Sequence, residues 1–534
     1  MTVAELLLAR AEDDGTGLRF EDSVWTWREV VAECAARAAW MGGDRHIGVL
    51  LDNIPELVFL IGGAALSGSV VVALNTTRGA DELAEDAERA DCDLIISEPA
   101  HEGLLGRLRE RLPVLMVDDP AYRDLDANPG TEKPVTDDSL LMLIFTSGTS
   151  GRPRAVRITH RKVVVPGESL AARLLKPEDV VYSPMPLFHS GAIMAAYAPA
   201  LAAGATLVLR RRFSVSGLLP DLRRYGCTYL HYVGKALSYA LTAPERPDDK
   251  DNPLKVAFGN EAATLEQKAF GERFGCFVLD AYGSSETAIS LTPDPFGPQG
   301  ALGKLAEEVK ILDPETGREC PRARFDADGR ITNGDEAIGE LVNVQGRGLF
   351  EGYYNDDKAD AERLRGGMYW SGDFAYADDQ GYVFFAGREL DRLRVDGENF
   401  GATQVERALA GFPGLQQYAV YGVPDSAAGD QVMAALVLSR PFDPQDFEAF
   451  WQGRRDVGAK WIPRYVRIAT TLPATASNKI LKRRLAQDAW LTDDPVWWRR
   501  DRDTAYALMT PDDKARLREE FAARGRINLL ERSG

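Results

Sequence analysis

Short apolar runs alternate with amphipathic stretches through the first half of the chain. Ile47–Leu51, Val70–Leu74 and Leu94–Ser97 are runs of strand length, and Pro55–Leu66 and Ala80–Arg89 between them carry apolar residues at helical spacing. Pro55 suits the first turn of its helix. Upstream, the strand end at Val24-Trp25-Thr26 runs into a capping box, Thr26 with Glu29, which predicts a helix reaching Met41. An Asp- and Pro-rich stretch, Asp118–Asp138, reads as a loop before a strand at Leu140–Phe145. Further strands are expected at Thr206–Leu209, Cys227–Tyr232, Lys255–Phe258 and Phe277–Ala281. Strands separated by helices imply parallel βαβ units in an α/β domain.

From Gly300 to Gly387 the pattern changes to short Val/Ile/Tyr-rich runs broken by Gly and Asp, as in Glu340-Leu-Val-Asn-Val and Gly381-Tyr-Val-Phe-Phe. An antiparallel β subdomain is expected there. Beyond Leu390 the spacing predicts a helix over Ala402–Leu409, strands at Gln417–Gly422 and Val432–Leu438, and further helices. Thr510-Pro511-Asp512-Asp513 reads as an N-cap with proline at the first helical position, Leu517 and Phe521 as one apolar face, and Gly525 as the stop. The longest apolar stretch, Leu57–Ala73, is broken by glycine and serine, and the N-terminus has no positive region before its apolar run. Neither a signal peptide nor a transmembrane segment is expected.

With 534 residues, the chain exceeds a single small binding module. Its net charge of −18 argues against a nucleic-acid scaffold, while leaving room for a small anionic ligand held by local positive charge. Five scattered cysteines without CxxC spacing do not make a disulfide framework or a zinc ribbon, and a reducing cytoplasm suits them. With five histidines and no HExxH, nothing points to zinc, and the absence of Gly-x-Ser-x-Gly removes a hydrolase nucleophile elbow.

The strongest chemical signal is Phe145-Thr146-Ser147-Gly148-Thr149-Ser150-Gly151-Arg152-Pro153-Arg154, hydroxyls and glycines directly after an apolar strand. Glycines let backbone amides approach a phosphate, hydroxyls donate to its oxygens, and arginine adds charge. The Walker loop is excluded, because its lysine and following hydroxyl are missing. A Ser/Thr/Gly cluster also occurs as an ordinary surface turn. This run, however, resembles the phosphate loop of the adenylate-forming superfamily, and further signatures of that family come in order. Tyr282-Gly283-Ser284-Ser285-Glu286-Thr287 is similar to the adenine and magnesium motif, and Tyr369-Trp370-Ser371-Gly372-Asp373 to the ribose motif. Gly387-Arg388 with Gly397-Glu398-Asn399 resembles the hinge-side signature, and Lys479 in Ser477-Asn478-Lys479 the C-terminal lysine. The segments Tyr229–Lys235 and Lys255–Glu261, with the tail through Trp497-Trp498, resemble the fatty-acid-transport-protein and very-long-chain acyl-CoA synthetase branch.

The resemblance implies an α/β fold: a large N-terminal ATP/acyl-binding adenylation domain, residues 1–389, with α/β sheet subdomains and a β-rich subdomain. A small mobile α+β C-terminal lid, residues 390–534, would carry the catalytic lysine. Lys479, Glu286 and Thr146 are then the catalytic candidates, with Glu286 also the Mg²⁺ ligand. Thr146, Ser147, Gly148, Thr149, Ser150, Gly151, Arg154, Tyr282, Gly283, Ser284, Ser285, Thr287, Asp373 and Arg388 would bind the nucleotide. Asp373 and Arg388 could equally form a structural ion pair, and Glu286 a solvated loop carboxylate. His189, His231, Tyr232, Gly234, Gly259, Asn260 and Glu261 would border the acyl substrate, although an apolar strand would be built from similar residues. Leu390 and Asp391 would be the hinge, and Gly397, Glu398 and Asn399 the CoA-side loop.

By the same resemblance the expected activity is that of an ATP-dependent acyl-CoA synthetase using ATP, Mg²⁺ and CoA on a hydrophobic carboxylic acid, in the cytoplasm, with a homodimer as the family-level expectation. Three positions depart from the family pattern: Arg154 for lysine, Asn478 where glycine is frequent, and Leu390 before Asp391 at the hinge. They motivate an alternative, an enzyme that stops at acyl-AMP and leaves thiolation to a carrier or partner protein. A non-catalytic nucleotide or acyl sensor is the reading from a different class.

Overall fold

The structure, a computed structural model, describes residues 1–123, 134–146, 153–234, 236–262, 264–292, 294, 296–298, 300–327, 331–388, 392–395, 398–426, 430–452, 454, 459–474, 480–500 and 505–531. Two compact units result, Met1–Ser290 with Gln345–Tyr369, and Leu291–Val344 with Trp370–Gly534.

The first unit holds two sheets. One runs Val114–Met116, Leu94–Ser97, His46–Leu50, Val70–Ala73, Leu140–Thr146, Arg154–Thr159, and the other Phe277–Asp280, Val256–Asn260, Tyr229–Val233, Val180–Ser183, Thr206–Leu209, Thr16–Phe20, Ser23–Thr26. Most pairings are parallel, as expected, and strands such as Val70–Ala73 and Leu94–Ser97 are buried at every position, which is why they read as unbroken apolar runs. The capping box is present: the Thr26 hydroxyl accepts from Glu29 N at 3.2 Å, Glu29 accepts from Thr26 N at 2.7 Å, and the helix runs Trp27–Met41. The apolar stretch Leu57–Ala73 lies within a buried helix, Pro55–Ser67, and a buried strand.

Two expectations are corrected. Leu140–Thr146 pairs antiparallel with a strand, Arg154–Thr159, that the sequence pattern did not mark. Only residues 147–153 separate the two, too few for the crossover of a dozen or more residues that a parallel pair needs. The Asp118–Asp138 stretch includes a short helix, Pro120–Arg123, and its residues 124–133 lie outside the described ones.

The second unit contains the expected antiparallel sheet, in the order Leu291–Thr292, Gly303–Leu305, Tyr382–Arg388, Met368–Ala377, Gly339–Asn343, Val309–Leu312. Its C-terminal part is a five-stranded sheet, Leu415–Pro424, Asp430–Leu438, Tyr465–Ile468, Val496–Trp498, Ala507–Leu508. Side chains alternate across it with period two. Tyr418 and Val420 pack with Leu409, Phe447 and Trp451 on one face, while Ala419, Tyr421 and Val423 pack with Leu485, Trp490 and Phe521 on the other. The helix Pro511–Ala523 starts at the Thr510 cap and buries Leu517 and Phe521. All five cysteines are free. Among the described residues no helix is long and apolar enough to cross a membrane.

Candidate active site

In the first unit the acidic motif forms a tight turn. Thr287 adopts a positive φ of 54°, uncommon for a β-branched residue, and its own hydroxyl donates back to the Ser284 carbonyl at 3.2 Å while its N–H donates to the same carbonyl at 3.1 Å. This turn sets Glu286 against Tyr353, whose hydroxyl donates to Oε1 at 2.8 Å. Burial and the adjacent carboxylate both push the Tyr353 hydroxyl pKa up, so it remains a donor at neutral pH. The Ser285 hydroxyl is 2.7 Å from that of Ser190.

Around Tyr353 stand three basic side chains, Arg154, Lys162 and Arg363, the last interacting with the Tyr353 hydroxyl and with the charge of Glu286. Arg154, directly across the ladder from Thr146, is 6% exposed, ion-paired with Glu362, and has its guanidinium 5.3 Å from the Tyr353 ring centre. Its charge is thus committed within the protein, one side chain removed from Glu286. Lys162, on the helix His160–Leu174, is fully buried; burial pulls its pKa down to about 7 against the opposing pull of Glu286 and Glu351. Neither Lys162 nor Tyr353 was singled out from the sequence. The available signal was a lysine within the otherwise apolar face of a helix.

A second group of residues gathers at the C-terminal ends of the other sheet. His231 is 2% exposed, with Nδ1 3.2 Å from the Phe258 carbonyl, and burial pushes its pKa down to about 4, so the ring is neutral. Its Nε2 has no hydrogen-bond partner among the described residues. Pro184, Met185, Phe213, Leu218, Leu230 and Phe270 close around His231 and Tyr232, leaving no water-sized space. Gly259 is required where it is: a Cβ there would fall 2.1 Å from the Tyr232 carbonyl. The Tyr232 hydroxyl donates to Asp280 Oδ2 at 3.0 Å, and the Ala262 N–H donates to the same oxygen at 2.9 Å. Desolvation raises the Asp280 carboxyl to about 7.

This pair of hydrogen bonds braces the turn containing Asn260 and Glu261, the latter at φ 63°. Gly234 N donates to the Asn260 carbonyl at 2.8 Å, so the predicted segments meet here. A Cβ on Gly283 would lie 3.9 Å from Asn260 Nδ2, which ties the group to the Tyr282-Gly283 end of the acidic turn. His189, half-buried, stands at the residue before the short helix Ser190–Ala192, which continues into a π turn at Ile193–Tyr197, with its ring 4.6 Å from that of Phe188. Thr146 ends its strand at the entry to the hydroxyl loop, and Ser147, Gly148, Thr149, Ser150 and Gly151 lie outside the described residues.

The second unit places Asp373 directly opposite Arg388 on the antiparallel pair Met368–Ala377 and Tyr382–Arg388. Asp373 is 6% exposed. The backbone before it turns at Gly372, φ 74°, whose N–H donates to Glu340 Oε1 at 2.6 Å, while Asp373 N donates to the Ser371 hydroxyl at 3.1 Å. Glu398 and Asn399 begin a strand, Glu398–Gly401, paired antiparallel with Arg392–Val395. Leu390, Asp391, Gly397 and Lys479 lie outside the described residues; Ala474 and Ile480, flanking the last, form an antiparallel bridge.

An α/β unit in which a hydroxyl-rich sequence follows the strand Leu140–Thr146 and an acidic turn holds Glu286 agrees with the adenylate-forming resemblance. The profile of the AMP-binding enzymes matches residues 8–354 and that of the AMP-binding enzyme C-terminal domain residues 404–479; the chain belongs to the AMP-binding enzyme family. Among its relatives, steroid-22-oyl-CoA synthetase of Rhodococcus jostii is 46% identical, covering 99% of both chains. The medium/long-chain-fatty-acid–CoA ligase FadD17 of Mycobacterium tuberculosis is 45% identical over 93% of this chain and 98% of its own. ATP-bound MatB from Rhodopseudomonas palustris shares the fold at TM-score 0.78 and 21% identity, covering 91% and 99% of the two chains. O-Succinylbenzoate-CoA synthetase from Bacillus subtilis, in complex with ATP and magnesium ion, shares it at TM-score 0.75 and 23% identity, covering 90% and 98%.

Proposed function

We propose that this chain is an AMP-forming acyl-CoA synthetase acting on a bulky hydrophobic carboxylic acid, a steroid side-chain acid or a medium- to long-chain fatty acid. One observation carries the reading: the chain aligns along nearly its whole length with CoA ligases for those two acid types and has Glu286, Asp373 and Lys479 at the motif positions. The five free thiols suit a cytoplasmic setting.

In the first half-reaction an acid carboxylate oxygen attacks the α-phosphate of ATP, forming the acyl–phosphate bond and releasing pyrophosphate. Thr146 and the hydroxyl loop donate to the phosphates, Asp373 accepts from the ribose hydroxyls, and Lys479 supplies positive charge where the transition state gains negative charge. Glu286 offers a hard carboxylate oxygen, and its hydrogen-bond donor is a neutral hydroxyl, a donor set that fits Mg²⁺. When bound, Mg²⁺ offsets phosphate charge as pyrophosphate leaves. In the second half-reaction the CoA sulfur attacks the acyl carbon and AMP departs. We place the working boundary at 389/390, where turning about Leu390–Asp391 exchanges Lys479 for the Gly397–Asn399 loop.

The test is mass spectrometry of the purified chain with Mg·ATP and a panel of steroid, fatty and aromatic acids, with and without CoA. Acyl-AMP alone, converted to acyl-CoA on adding CoA, is the expected result and names the acid class. Acyl-AMP that persists in the presence of CoA would transfer the second half-reaction to a partner, and no adenylate with any acid would reject the ligase reading.

A further inference from the structure

Lys162 has no part in the reaction as described, yet its placement demands a reason. It is fully buried, and its Nζ donates to the Arg157 carbonyl at 3.2 Å. Methionine would fill the same space without taking an ammonium out of water. From the Nζ, 5.9 Å leads to the centre of the Phe350 ring; Phe350 packs edge-on to Tyr353 with centres 5.1 Å apart, and Tyr353 holds Glu286. Backbone contacts fix this loop to the acidic turn. Leu349 N donates to the Thr287 carbonyl at 3.3 Å, and a Cβ on Gly348 would fall 2.6 Å from the Ala288 carbonyl. Glu286 and Glu351 are the carboxylates whose charge reaches the ammonium, and Arg363, which interacts with Tyr353, is a second cation near Glu286 to which Lys162 adds.

We propose that Lys162 is a positioning residue for Glu286, the fixed counter-charge behind the Phe350–Tyr353 pair that lets this carboxylate face a metal-bound triphosphate. A carboxylate aimed at a polyanion is repelled by it. A cation set behind the carboxylate, across aromatic rings rather than water, offsets that repulsion with little screening by solvent or salt. With the Lys162 pKa at about 7 the counter-charge is full only below neutral pH, and because packing holds the ammonium in place, no side chain has to reorganise when nucleotide arrives. The inference rests on Glu286 as the metal-side ligand.

The experiment measures Kd for Mn·ATP, by Mn²⁺ electron paramagnetic resonance and calorimetry, and Kd for AMP, on the full chain at about pH 6, where Lys162 is charged. Lys162→Gln keeps a donor for the Arg157 carbonyl without the charge; Lys162→Met removes both, and Lys162→Arg restores the charge. Removing the charge is expected to weaken Mn·ATP about tenfold, with AMP changed less than about twofold and most of the loss recovered by Lys162→Arg. Unchanged Mn·ATP affinity in Lys162→Gln overturns the proposal, even if Lys162→Met does not fold. So does parallel weakening of Mn·ATP and AMP, which marks a packing role. Glu286→Gln is measured alongside: if it leaves Mn·ATP unaffected, the ligand reading itself falls, whereas weakening by Glu286→Gln alone removes only the role of Lys162.

Discussion

Tyr353→Phe removes one oxygen and leaves the rest of its surroundings in place. The ring still packs on Phe350 at 5.1 Å and lies under the Arg154 guanidinium at 5.3 Å, so what is lost is the 2.8 Å hydrogen bond to Glu286 and the hydroxyl's interaction with the Arg363 guanidinium. A hydrogen bond to a charged group contributes about 1.5–3 kcal/mol. Glu286 is only half-buried, so water recovers part of this, and about 1–1.5 kcal/mol remains. If Glu286 must be held in place for the triphosphate, that loss lowers kcat/KM for Mg·ATP by about five- to tenfold. Pyrophosphate release at saturating acid, with Mg·ATP varied, reads it directly, and Tm measured in parallel checks the fold. A kcat/KM within about twofold of the parent, with Tm unchanged, would refute the argument that this hydroxyl orients the carboxylate.

Gly259→Ala places a methyl group 2.1 Å from the Tyr232 carbonyl, which forces two adjacent parallel strands apart. A loss above about 3 kcal/mol is expected, seen as a large fall in Tm or as insoluble protein, and a variant with parental Tm contradicts it. Burial pushes both His160 and His231 down to about 4 from the ordinary 6.5, so as pH falls between those values the unfolded chain gains protons that the folded chain refuses. The two histidines' contribution is therefore full above about pH 6.5 and declines toward about pH 4, by up to about 3 kcal/mol per histidine, with Asp280, raised to about 7, opposing part of the decline. Urea midpoints across this range measure the decline, and His231→Phe is expected to flatten it. Lys479→Ala is expected to abolish acyl-AMP formation while leaving Kd for ATP within about threefold; adenylation at the parental rate would remove its catalytic role.

The elements most legible in the sequence are those whose signal is local. The helix Ala80–Arg89 and the strand Leu94–Ser97 appear with the bounds expected, and the Thr26–Glu29 and Thr510–Asp513 capping boxes start their helices as predicted. Cap geometry and side-chain period are set by residues within a turn of one another, so a linear pattern contains them. The strand Arg154–Thr159 escaped because it carries charges at 154 and 157 and depends on its partner for pairing. The site divides in the same way. Residue types at motif spacing mark Glu286, Asp373 and the Tyr229–Val233 segment.

Tyr353, Lys162 and Asp280 acquire meaning only in space, because the charge or donor each meets is distant along the chain: Tyr353 meets Glu286, and Asp280 meets Tyr232. Residue order alone determined the family, the α/β class, the shift to antiparallel strands after Gly300 and the candidate acid, hydroxyl and lysine positions. Only the tertiary structure decided that Arg154 is held by Glu362, that Lys162 is a buried lysine with its pKa pulled down to about 7, and that His231 is neutral with one ring nitrogen unpartnered among the described residues. Charge state and hydrogen-bond partner depend on burial and on distance through space, and neither quantity is written in the order of residues.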